Sequence, residues 1–220
     1  MEGAFITFEG GEGVGKTTQI KLLAERLRAG NRDVVETREP GGTELGKSLR
    51  ATILETASQP SNDGRNVAPL AELFLSLADR AQHIRDIILP NMAAGNIVLC
   101  DRYADSTVAY QGYARGLDLV EVQRLNALVC GNCRPNITFL MDLPPEVGME
   151  RAVRRRGKGR VDNFEAESAV FHRRVRAGFL SIAKEELERF CVINGSDTIA
   201  AVHEQVIKAL RERMPSIFAQ

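Results

Sequence analysis

The sequence lacks an excess of charge of either sign. Its 29 Lys and Arg residues balance 29 Asp and Glu residues, so no global field draws it to nucleic acid or to an anionic membrane, and neither is expected as a partner. It lacks any run of about 18 apolar residues, and its first residues enter an apolar stretch without a charged-then-apolar leader pattern. A cytoplasmic protein is expected. Cysteine is scarce: of the four, Cys130 and Cys133 form a lone C-x-x-C, with no second pair and no nearby histidine to complete a zinc set, so reduced structural thiols are expected. His83, His172 and His203 fall in helical patterns without clustered ligands and read as surface or packing residues. No internal repeat, low-complexity tract or linker divides the chain, and its 220 residues suit one α/β domain spanning 1–220.

What is present begins with Gly10 to Thr18. Gly10, Gly15, Lys16 and Thr17 satisfy G-x-x-x-x-G-K-[ST], with Gly11, Glu12, Gly13, Val14 and Thr18 completing the segment. Glycines let backbone N–H groups wrap a polyphosphate, Lys16 reaches its β/γ end, Thr17 offers a hydroxyl to Mg²⁺, and the following helix aims its dipole at the same anion. The context fits, because Ala4 to Phe8 reads as a buried strand and Ile20, Leu23, Ala24 and Leu27 form one helical stripe.

Further strands are expected at Asp33–Thr37, Ile97–Cys100, Ile137–Asp142 and Val192–Ile193. Helices are expected at about Glu44–Glu55, Pro69–Leu89, Leu119–Val129, Pro145–Arg154, Glu165–Arg189 and Thr198–Met214, and Thr56–Asn66 as a surface loop. Strands alternating with helices imply a parallel sheet wound on both faces, a three-layer α/β/α fold. The third strand delivers Asp101 at its carboxyl end, where such sheets place ligands and where an aspartate can serve Mg²⁺.

Arg151, Arg154, Arg155, Arg156, Lys158 and Arg160 crowd ten positions, interleaved with Gly157 and Gly159. A glycine-hinged basic segment between helices suits a lid, at about 154–162, that closes over phosphates and supplies arginines to the transferring group. A solvated face is the plainer reading of the same run. Directly after the third strand, Asp101-Arg102-Tyr103, Ser106-Thr107 and Tyr110-Gln111-Gly112 form a polar, aromatic cluster suited to a second substrate. A nucleotide-hydrolysing switch is the alternative, but no Asn-Lys-x-Asp guanine-reading motif is present.

The phosphate loop, Thr37-Arg-Glu-Pro40-Gly-Gly-Thr43, Ala78-Asp79-Arg80-Ala-Gln-His83 and the Asp101 to Gly112 segment together closely resemble bacterial thymidylate kinase, from residue 4 to the last helix. The resemblance implies a homodimeric P-loop kinase with sheet order 2-3-1-4-5, converting dTMP and Mg-ATP to dTDP and ADP in dTTP biosynthesis. By position it implies that Arg50 and Arg102 grip the dTMP phosphate and that Arg80, Thr107 and Gln111 read thymine, with Ser106 beside them. Glu12 would contact the sugar 3′-hydroxyl, Tyr110 would exclude a 2′-hydroxyl, and Thr17 and Asp101 would organise Mg²⁺. One branch of the family carries an arginine where Gly13 stands here. Catalytic charge is therefore expected from Lys16, Arg102 and the lid arginines Arg154, Arg155, Arg156 and Arg160. Two departures stand out: Ser76 occupies the place of a base-stacking phenylalanine, and Asn163 that of an arginine after the lid.

Overall fold

The structure, a computed structural model, describes residues 3–55, 67–157, 164–165 and 167–218. The expected loop at 56–66 and the centre of the expected lid, with Lys158, Arg160 and Asn163, lie outside the described residues. So does the side chain of Arg156.

Five parallel strands run β1 (Ala4–Glu9), β2 (Val34–Arg38), β3 (Ile97–Asp101), β4 (Ile137–Asp142) and β5 (Phe190–Asn194), in spatial order 2-3-1-4-5. The register sets Phe8 against Asp101 and Glu9 against Leu140, so the carboxyl ends of β1 and β3 finish side by side. Their near-continuous apolar content follows from burial on both faces. Helices α1 (Lys16–Ala29) and α9 (Ile199–Arg213) pack on one face, where Leu23, Leu27, Val206 and Leu210 meet Ile6, Phe8, Leu99 and Phe139. The other face is covered by α3 (Pro69–His83), α6 (Leu119–Cys130) and α8 (Ala169–Glu185). The remaining helices are α2 (Glu44–Glu55), α4 (Leu89–Ala93), α5 (Ala104–Thr107) and α7 (Pro145–Arg156).

The elements match the expected periodicities, with local differences that have physical causes. The expected helix at 69–89 changes winding at Ile84–Ile88, a π-helical stretch, before α4 carries it past Pro90. The expected helix from Glu165 begins instead at Ala169, because the Ser168 side chain accepts from the Phe171 N–H and caps it. The polar cluster after β3 is itself helical, α5 passing into a π-helical stretch at Val108–Ala114. His83 and His172 are buried, His83 completely, while His203 is partly covered against Gln19.

Helix α7 docks directly on the phosphate loop. Gly13 has φ +65°, and a Cβ there would lie 1.9 Å from the Gly148 carbonyl oxygen; a Cβ on Gly148 would lie 2.3 Å from the Glu12 carbonyl oxygen. Neither position has room for a side chain. Alanine for glycine inside a helix ordinarily gains about 1 kcal/mol. Here Gly148→Ala is expected to do the reverse, lowering stability by about 2 kcal/mol or more, roughly 5 °C in melting temperature for a chain of this size. A melting curve at or above the wild type would show that α7 does not lock the loop.

Candidate active site

The site lies over the carboxyl ends of β1 and β3. The chain leaves β1 at Glu9 and turns through Gly10 to Gly15, whose left-handed backbone (φ +96°) starts α1 with no side-chain cap. The first N–H groups of α1 are therefore free of side-chain competition for an anion. Lys16 folds back over the loop, donating to the carbonyls of Gly10 (3.2 Å) and Gly11 (2.8 Å). Burial and the neighbouring Arg102 lower its ammonium to about 8, against the pull of Asp101, Glu12 and Glu9. The Thr17 hydroxyl donates to Asp101 at 2.8 Å, bringing together two oxygen donors from α1 and β3.

Arg102 is the hub. Its backbone is left-handed (φ +73°), a conformation uncommon outside glycine. Its N–H donates to the Phe8 carbonyl at 3.0 Å. The guanidinium donates to the Gly10 carbonyl at 2.9 Å and to Glu12 at 2.5 Å, and stands 5.0 Å over the Tyr110 ring. The Tyr110 hydroxyl donates to the same Glu12 oxygen at 2.8 Å. Burial alone would raise Glu12, but Arg102 and Lys16 outweigh it and hold the carboxyl down to about 2.

A second cluster lies deeper, between α3, the loop after β2 and α5. Arg80 is buried and donates to Glu39 (2.9 Å), Asn126 (2.6 Å) and Thr107 (3.0 Å), with its guanidinium 5.1 Å from the Tyr103 ring. Although burial opposes its charge, Glu39 raises its pKa. Glu39 also contacts His83, whose other nitrogen meets Thr37. The Glu39–Pro40 peptide is cis. Asp79 accepts from the Gly41 N–H at 3.1 Å, and burial together with Glu39 raises its carboxyl to about 6.

Of the residues expected from sequence, Arg80, Arg102, Ser106, Thr107, Tyr110 and Gln111 line one cleft, joined by Ser76 and Phe164. Glu12, Lys16, Thr17, Thr18, Arg50, Asp101 and Arg155 line an adjoining polar cavity over the phosphate loop. Arg50 also donates to the Pro40 carbonyl at 3.0 Å. Gln111 donates to the buried Glu72 at 2.6 Å. Arg154 is not brought in: it is exposed and paired with Glu150 one turn back at 2.5 Å. Phe74 is also turned outward, 52% exposed, so it does not replace the aromatic missing at Ser76. Phe164 does reach the cleft, beside Tyr103 and Tyr110, and lies edge-on to Tyr110 at 5.0 Å.

Sequence reading missed the carboxylates that hold this assembly. Glu9 accepts from the Tyr103 N–H (2.8 Å), the Ser106 N–H (3.3 Å) and the Ser106 hydroxyl (2.6 Å), tying the turn that carries Arg102 to β1. Glu39 and Asn126 hold Arg80 and Glu72 holds Gln111 in the same way, while Asp79 holds the Gly41 N–H of the loop after β2. The available signal was position: Glu9 stands immediately before the phosphate loop, Glu39 lies within Thr37 to Thr43, and Asp79 is next to Arg80.

Three comparisons bear on this arrangement. The family model described as thymidylate kinase matches residues 8–206. Thymidylate kinase of Citrifermentans bemidjiense is 46% identical over 218 residues, covering 98% of this chain and 94% of that protein. That of Geobacter sulfurreducens is 47% identical, covering 97% and 99%. The crystal structure of thymidylate kinase from Ehrlichia chaffeensis superposes with a TM-score of 0.74 at 38% identity, covering 96% of this chain and 99% of that one.

Burial, together with Asp105, raises the Glu9 carboxyl from its ordinary 4.5 to about 8. The native state thus keeps a proton that the unfolded chain releases, and Glu9 makes stability fall as pH rises through that interval. Glu9→Gln is expected to lose this slope, so the melting temperature of the wild type should drop relative to the variant between pH 5 and 8. Parallel melting profiles across that range would remove the assignment.

Proposed function

The chain belongs to the thymidylate kinase family, and from that premise we propose how its residues divide the work. It is a phosphotransferase that passes the γ-phosphoryl group of ATP to dTMP, giving dTDP and ADP. The observation that carries the division is the Arg102–Glu12–Tyr110 junction, which joins the phosphate loop to the neighbouring cleft through contacts of 2.5 and 2.8 Å.

On this reading ATP phosphates lie in the cavity over Gly10 to Thr18, and dTMP occupies the cleft lined by Arg80, Arg102, Thr107 and Tyr110. Lys16 exchanges its loop carbonyls for the β/γ-phosphates, and Arg102 and Arg50 hold the acceptor phosphate in line with the transferring group. Arg80 and Thr107 are fixed by buried partners before any base arrives, so their remaining hydrogen-bonding groups present a set pattern to thymine. Gln111, held by Glu72, stands beside them. Tyr110 is pinned by Glu12 and walls the sugar. Arg155 reaches the phosphate cavity from the end of α7, supporting a lid at about 154–162 that brings arginine charge to the transferring phosphoryl group. Mg²⁺ fits beside Thr17 and Asp101, whose adjoining oxygens are the hard donors it takes. When bound, it neutralises charge on the β- and γ-phosphate oxygens.

No helix among the described residues is long and apolar enough to cross a membrane, which agrees with a cytoplasmic kinase. Exposed Leu70 and Phe74 on α3 and Val120 and Leu128 on α6 supply an apolar face for a homodimer. Phe74→Asp is expected to convert dimer to monomer in sedimentation; an unchanged mass would exclude that face.

The reading is tested by ADP release across acceptors. dTMP is expected to be turned over well ahead of UMP, dUMP and thymidine, and Lys16→Met should lower kcat for dTMP about 100-fold or more. Equal turnover of all acceptors would sink the acceptor assignment, and ADP release without any acceptor would favour a nucleotide switch.

A further inference from the structure

The C-x-x-C of Cys130 and Cys133 is the one sequence motif that the reaction leaves unused. Cys130 ends α6, and the Cys133 N–H donates to the Cys130 carbonyl at 2.8 Å, so the two residues close a four-residue turn. Such a turn holds its end Cα atoms under about 7 Å, within the span a disulfide bridges. The Tyr103 hydroxyl donates to the Cys133 carbonyl at 2.9 Å and lies beside both thiols. Both cysteines line a cavity on the side of Tyr103 away from the phosphate loop, together with Asn126, Arg134 and Arg189. Cys130 is half-buried there and Cys133 is buried; Cys100, also a free thiol, belongs to the same buried cluster as Tyr103 and Cys133, and Cys191 lies in the core on the other face of the sheet.

Two routes lead from this turn to the nucleotide cleft. Tyr103 lines both cavities, and its ring faces the Arg80 guanidinium at 5.1 Å. Asn126, one turn before Cys130 on α6, accepts from Arg80 at 2.6 Å and donates to the Ala104 carbonyl at 3.0 Å. A change of backbone at the end of α6 therefore acts on the arginine assigned to the base.

We propose that Cys130 and Cys133 form a dithiol modification site that low-molecular-mass disulfides oxidise, and that its oxidation weakens acceptor binding through Tyr103 and Asn126. The more accessible Cys130 thiolate attacks the external disulfide, forming a mixed disulfide and expelling one thiol. The Cys133 thiolate then attacks the Cys130 sulfur, closing the Cys130–Cys133 bond and expelling the second. Two protein thiols are oxidised, one external disulfide is reduced to two thiols, and the two protein protons end on the released thiols. Burial raises both cysteine thiols, so the exchange is slow at neutral pH and faster in alkaline buffer.

The effect on acceptor binding rests on the dTMP reading; the chemistry of the pair does not. The test treats the whole protein with oxidised glutathione in alkaline buffer, maps disulfides by mass spectrometry, and measures dTMP and ATP kinetics before and after dithiothreitol. A Cys130–Cys133 bond is expected, raising the KM for dTMP at least about threefold with the KM for ATP unchanged and reversing on reduction. Cys130→Ser and Cys133→Ser should keep basal turnover and lose the response. Failure to form the bond, or a bond that leaves the dTMP KM unchanged, overturns the proposal. Failure of the acceptor reading would appear separately, as absent dTMP turnover in the fully reduced enzyme.

Discussion

An arginine held in a left-handed backbone between two carboxylates is the constraint from which the rest of this site follows. Glu9 and Glu12 flank the start of the phosphate loop; one binds the backbone after Arg102 and the other binds its guanidinium. The three residues can meet only because β1 and β3 are neighbours in register, which is what the 2-3-1-4-5 order provides. A desolvated guanidinium is tolerable when paired and costly when a partner is lost, so the group behaves as a unit. Its single assembly fixes where the loop ends and where Tyr110 stands.

The base side follows the same logic at greater depth. Glu39, Arg80, Asn126, Thr107 and His83 form a buried polar belt whose members come from the loop after β2 and from α3, α5 and α6. The positions of Arg80 and Thr107 are therefore set by the folded protein and need little ordering by the ligand proposed for them. By contrast, the described basic residues at the end of α7, Arg154 and Arg155, are exposed, Arg154 pairing with Glu150 on the surface and Arg155 standing 4.0 Å from Glu165. Fixed, buried charge stands at one end of the site, and accessible charge at the other.

Sequence reading recovered what is local. The phosphate loop, the apolar strands and the Asp101 segment carry their signal in adjacent residues, and periodicity placed the longer helices but not α5 and the π-helical stretch after it. It did not recover the change of winding at Ile84–Ile88 or the start of α8, which depend on packing and on one serine cap. Nor did it find Glu9, Glu39, Glu72 and Asp79 as structural supports. A glutamate at a strand end reads as solvent-facing until its partner, here Ser106 or Arg80, is known to fold over it. Ser76 was legible as a departure; that Phe164 lines the same cleft was not, because the two are distant in sequence and meet only across the site.

The interlock of Gly13 with Gly148 ties two features that sequence treats separately. Helix α7 rests its first turns on the Gly10–Thr18 loop and ends at Arg155 and Arg156, so one rigid element spans from that loop to the basic segment. The glycine contact and the basic end therefore belong to one helix of 12 residues, so whatever shifts the contact carries Arg155 with it.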